Sequence, residues 1–93
     1  MKDPAANCAR EVVIVNELGM HARSAAMIAK LAAQAASTIW FEKSGERADA
    51  SSIIDLLSLG CSKGQKVRVI ADNPEDRPVL EKIIALIEDG FGE

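Results

Sequence analysis

Apolar and polar positions fall into seven stretches along this chain, and their period changes from that of a strand to that of a helix and back. Residues 10–15 hold the contiguous β-branched run Val12, Val13, Ile14 and Val15 and predict a strand. With Val12 and Ile14 inward, Glu11 and Val13 share the outer face. Residues 16–20 break the pattern as a loop, where Asn16 and Gly19 tolerate unusual backbone angles. Residues 22–36 then turn helical, with Ala25, Ile28, Leu31, Ala32 and Ala35 on one face. So many alanines suit both a helix and close approach to a sheet.

Alternation returns in residues 38–42, with Ile39 and Phe41 on one side and Trp40 on the other. Residues 43–46 make a turn, so residues 47–50 complete a hairpin whose polarity suits a sheet edge. A short helix follows over residues 53–59, with Ser51 as its N-cap, Ser52 in its first turn and Gly60 as its stop. Leu56 and Leu59 form one stripe, Ile53 and Leu57 another; so short a helix buries one and leaves the other exposed. Residues 66–71 are a fourth strand, with Val67, Val69 and Ala71 alternating against Lys66, Arg68 and Ile70. After the turn signal Asp72-Asn73-Pro74, a last helix spans residues 76–88, burying Leu80, Ile83, Ile84 and Ile87. Pro78 fits only its first turn, and Asp89-Gly90 ends it.

The order β-α-β-β-α-β-α, with helices segregated from strands, predicts an α+β two-layer open-faced sandwich. At 93 residues this is one domain, residues 1–93, with residues 1–9 as a short polar extension. Residues 1–7 have no apolar stretch of the kind a signal peptide carries, and no run reaches the length of a membrane span. A net charge of −3 and three aromatics, Trp40, Phe41 and Phe91, argue against a nucleic-acid partner. Cys8 and Cys61 make no disulfide framework and no zinc cluster; reduced, inert thiols in a cytoplasmic protein are expected.

Composition thus leaves His21, the single histidine, as the candidate for chemistry. It stands two residues after Gly19, precedes a helix and lies two residues before Arg23. A neutral imidazole can attack a phosphoryl group, helix N–H dipoles favour the incoming dianion, and a guanidinium screens its charge. An ordinary surface histidine fits the residues equally well. Ser24 can satisfy an N–H of the first turn or be a helix residue of no consequence. Lys30 can steer acidic partners or be merely solvated.

Three stretches go further: Asn16-x-x-Gly19-Met20-His21-Ala22-Arg23-x-Ala25-Ala26, then Ala50-Ser51-Ser52-Ile53-Ile54 through Leu57-Ser58-Leu59-Gly60, and the ending Gly90-Phe91-Gly92-Glu93. With them, residues 11–93 resemble the histidine-containing phosphocarrier (HPr) family of the bacterial phosphoenolpyruvate-dependent phosphotransferase system. The resemblance implies an antiparallel sheet of strand order 1-4-2-3 with three helices on one face. It implies a monomeric carrier rather than a stand-alone enzyme, holding no cofactor and no metal. His21 would take a phosphoryl group on Nδ1 from phosphorylated enzyme I and pass it to an enzyme IIA-type acceptor, with Arg23 beside it. Ser52 matches the serine modified by the ATP-dependent HPr kinase/phosphorylase; helix capping is its other reading. Met20, Ile53, Ile54 and Leu57 would form the partner-binding patch. A nitrogen-type or regulatory paralogue uncoupled from sugar transport, and an interaction module that transfers nothing, are the alternatives. The chain departs from the family at Ser24, where proline is usual, at Met20, where leucine is usual, and at Ser51, where lysine often stands. Loss of the proline is expected to loosen the first turn of the helix.

Overall fold

The computed structural model describes residues 8–93. Five-residue β1 (Ala9–Val13) leads into α1 (Ala22–Ala32), then the hairpin β2 (Ile39–Lys43) and β3 (Glu46–Asp49). After these come α2 (Ile53–Leu59), β4 (Lys66–Ala71) and α3 (Arg77–Glu88), with 3-10 turns at Pro74–Asp76 and Gly90–Gly92. The strands form one antiparallel sheet in the order β1-β4-β2-β3, and the three helices cover one face: the open-faced α+β sandwich expected from the sequence.

Register follows from the alternation. Val12 pairs with Val67, and Phe41 lies between Val69 on β4 and Ala48 on β3. These inward side chains meet Ala25, Ile28 and Ala32 of α1, Leu56 and Leu59 of α2, and Leu80, Ile83, Ile84 and Ile87 of α3 in one core. Ala25 fills its place with no exposed surface, as close helix–sheet contact requires. Cys8 and Cys61 are free thiols inside this core, and burial pushes the Cys61 thiol up, against a partial pull down by the Lys43 charge. A thiol held protonated in this way is a poor nucleophile, in keeping with an inert role.

Several boundaries differ from the sequence reading. The supposed extension, residues 1–9, lies outside the described residues only up to residue 7; Cys8 is 1% exposed and Ala9 opens β1. The first strand ends at Val13 rather than residue 15, although Ile14 is still held by exchange with the turn before β4: its N–H donates to the Gln65 carbonyl at 3.0 Å, and its carbonyl accepts from Gly64 at 2.7 Å. α1 stops at Ala32 instead of residue 36, because the buried Asp76 carboxylate accepts the N–H groups of Ala36 (2.7 Å) and Ser37 (2.9 Å) and draws the chain out of the helix. α2 is capped by Ser52, not Ser51. Ser51 is captured one step earlier, its N–H and hydroxyl both donating to Asp49 Oδ1 at 2.9 and 2.7 Å. Ile70 shares the outer face with Lys66 and Arg68, yet is only 3% exposed; its cross-strand partner there is Trp40, over which Arg47 lies at 5.9 Å.

Candidate functional site

The loop between β1 and α1 is built on two residues that set its path. Asn16, 5% exposed, donates from Nδ2 to the Gly19 carbonyl at 2.9 Å, and its own carbonyl accepts the Gly19 N–H at 3.1 Å. Gly19 has a φ of +63°, and a Cβ there would sit 2.7 Å from the Cys61 carbonyl oxygen and 3.0 Å from Ser62 Cα. Only glycine meets both demands. Met20, partly buried against the core, donates its N–H to the same Cys61 carbonyl at 2.8 Å, joining the loop to the segment just after α2.

This path delivers His21 to the N-cap of α1 in extended conformation, φ −135° and ψ 179°. Its carbonyl accepts the Ala25 N–H at 2.8 Å, the first bond of the helix. Its N–H donates to Ser24 Oγ at 2.9 Å, and its ring faces the Ser24 N–H, so the two residues cap one another. Ser24 is 1% exposed. The first turn is therefore tied down rather than loosened by the missing proline, and Ser24 does satisfy an otherwise unpaired N–H. Arg23 stands exposed in the same turn.

The sequence reading missed Glu93 as a site residue. Its Oε2 lies 2.7 Å from His21 Nε2, and its Oε1 accepts from Asn16 Nδ2 at 3.2 Å. The carboxyl is held below its usual range, first by the His21 hydrogen bond and then by that of Asn16; desolvation opposes them, and the His21 and Arg23 charges add smaller pulls downward. A carboxylate only accepts, so Nε2 carries the proton of this contact, and in the neutral ring the lone pair belongs to Nδ1. That nitrogen is the one suited to attack an electrophile. Glu93 reaches the ring because Phe91, 1% exposed and at φ +60°, anchors a tight turn between Gly90 and Gly92. Two glycines flanking an aromatic were the available sequence signal; they mark a turn but not what it approaches.

His21, Arg23 and Met20 thus share one loop and helix start. Ser52 lies elsewhere, at the start of α2, with Oγ accepting the Asp55 N–H at 3.2 Å. No hydrogen bond or ion pair among the described residues joins it to His21 or Arg23. On α2 the two stripes separate as expected: Leu56 and Leu59 are buried, while Ile53, Leu57 and Ile54 stand 40%, 39% and 75% exposed. A surface hollow of about 380 Å³ runs along β1 by Glu11, Val13, Val15, Lys66 and Glu88, and no candidate site residue lines it. Among the described residues no cluster of three His, Cys, Asp or Glu could hold a metal ion, and no helix is long and apolar enough to cross a membrane.

Known proteins agree with this architecture. Residues 8–89 match the family model for the PTS HPr component phosphorylation site. The chain is 33% identical over 84 residues to phosphocarrier protein HPr of Cupriavidus necator, covering 90% of this chain and 94% of that one. It is 39% identical over 83 residues to phosphocarrier protein NPr of Escherichia coli, covering 88% and 92%. Among solved structures, HPr-C-His from Thermoanaerobacter tengcongensis superposes with a TM-score of 0.86 at 35% identity, covering 91% of this chain and 96% of that one. A match that runs from the first strand through the last helix, on the strand order and helix placement described above, makes the chain a phosphocarrier of the HPr family, part of the phosphotransferase system.

Proposed function

We propose that His21 is the phosphoryl acceptor of this carrier, taking the group on Nδ1 from phosphorylated enzyme I and giving it to an enzyme IIA-type acceptor in the cytoplasm. The observation that carries this is the 2.7 Å contact between His21 Nε2 and Glu93, which leaves the Nδ1 lone pair at the mouth of the first turn of α1. Arg23, exposed in that turn, supplies a forked cation for the phosphoryl oxygens. In uptake the Nδ1 lone pair forms the N–P bond, while the bond from phosphorus to the donor atom breaks and its electrons leave with the donor. Positioning and electrostatics are what such a transfer asks of a protein.

Partners would dock on Met20 and on the exposed stripe Ile53, Ile54 and Leu57, which the bond from Met20 to Cys61 ties to the active loop. Ser52 would be the regulatory phosphorylation site of a dedicated kinase/phosphorylase. Its hydroxyl also caps α2, so modification there would replace a structural hydrogen bond. A nitrogen-type circuit uncoupled from sugar transport is the second reading, favoured by the 39% identity to the Escherichia coli NPr.

Incubation with phosphoenolpyruvate and the enzyme I of the same organism tests the leading reading. Wild type is expected to gain one acid-labile phosphate by mass, and His21→Ala none. Label that persists in His21→Ala would move the site elsewhere; wild type left unlabelled would make the chain an interaction module. ATP and the cognate kinase should add an acid-stable phosphate to wild type but not to Ser52→Ala; an unmodified wild type leaves Ser52 a cap alone.

A further inference from the structure

Ser24 occupies the third position of α1, and it brings two groups to His21 that proline could not. Its hydroxyl accepts the His21 N–H at 2.9 Å and has the His21 and Gly19 carbonyls within reach as acceptors, at 3.1 and 3.3 Å. Its backbone N–H faces the imidazole. Because Nε2 is already engaged by Glu93 at 2.7 Å, the ring nitrogen left for that N–H is Nδ1. Nε2 thus donates to a carboxylate, and Nδ1 is faced by an amide.

We infer that Ser24 is a positioning residue for phosphoryl transfer: its backbone N–H faces Nδ1 in the resting protein and bonds a phosphoryl oxygen once Nδ1 is modified. This rests on His21 being the acceptor, as proposed above. When the N–P bond forms, the Nδ1 lone pair is spent, the donor atom keeps the electrons of the broken bond, and Nε2 keeps its proton, still donated to Glu93. The Ser24 N–H then meets an anionic oxygen, a stronger acceptor than the ring nitrogen it faced. This chain is therefore built to hold its phosphohistidine long. Proline at this position would remove that hold.

Three forms separate the amide from the hydroxyl: wild type, Ser24→Ala, which keeps the N–H, and Ser24→Pro, which lacks both groups. Proline is tolerated in a first helical turn, and an amide NMR spectrum checks the fold of each. The readouts are the 15N shift of His21 Nδ1 in the unmodified protein and the phosphohistidine half-life after loading from phosphorylated enzyme I and removal of the donor. Wild type and Ser24→Ala should share an Nδ1 shift that Ser24→Pro changes. Ser24→Pro should also lose its phosphate about tenfold faster, the scale of one hydrogen bond to a charged group. An Nδ1 shift and half-life in Ser24→Pro equal to those of wild type would overturn the inference while leaving His21 as acceptor. So would Ser24→Ala behaving like Ser24→Pro, since the hydroxyl would then be the agent. A wild type that takes no label on His21 would remove the parent reading and this one together.

Discussion

α1 and α2 begin by opposite means. α2 starts from Ser52, a residue type that caps well, with its hydroxyl on the Asp55 N–H at 3.2 Å and an acidic side chain in the first turn, where the helix dipole favours it. α1 starts from a histidine, has no acidic residue in its first turn and carries Arg23 there instead, against the dipole. By the rules of helix formation the second start is good and the first is poor. The poor one is held from outside, by the Gly19 turn, the reciprocal Ser24 contacts, and a carboxylate brought from Glu93. Local rules broken with such support mark the place where a residue is kept for chemistry rather than stability.

If that contrast is right, the two starts should respond differently to small changes. The largest effect is expected at Gly19→Ala. The added Cβ would lie 2.7 Å from the Cys61 carbonyl oxygen on a backbone at φ +63°, so the loop that aims His21 must shift. Strain and clash together should cost more than about 2 kcal/mol in denaturant unfolding and reduce phosphoryl uptake well beyond that loss of fold. A cost within about 0.5 kcal/mol would show that α1 does not depend on this turn. Ser52→Ala comes next, at about 1 kcal/mol for a lost cap. Hydrogen exchange should quicken at the Asp55 amide and stay as it was at Ser24 and Ala25; loosening of both helix starts together would undo the contrast.

What the sequence revealed follows the same division. The strands were legible because their period is local: Phe41, Val67 and Val69 had to share a face whatever they packed against. The exposed stripe of Ile53 and Leu57 was legible because a seven-residue helix has too little surface to bury two. The end of α1 was not, since an alanine run carries no stop and the acceptor for Ala36 is Asp76, 40 residues later. Nor was the choice between Ser51 and Ser52, which share a capping chemistry; it turned on Asp49 taking Ser51 first. His21 and Arg23 stood out by type and spacing, but Glu93, 72 residues away from His21, could be found only by folding the chain.

The smallest expected effect concerns that carboxylate. Its pKa in the folded protein lies below the ordinary value, chiefly because His21 hydrogen-bonds to the ionised form. A depressed carboxylate contributes stability that is fully present above the unfolded pKa and is lost as pH falls through the folded one. The Glu93 carboxyl 13C signal should therefore titrate at lower pH in the folded chain than in the urea-unfolded chain. His21→Ala should move the folded midpoint up the most, and Arg23→Ala the least, because Arg23 acts only through its field while His21 makes the bond. The reverse ranking would mean that Glu93 is held by the guanidinium and merely passes the imidazole. Nε2 would then have no fixed acceptor, Nδ1 no fixed lone pair, and the start of α1 would lose the feature that sets it apart from that of α2.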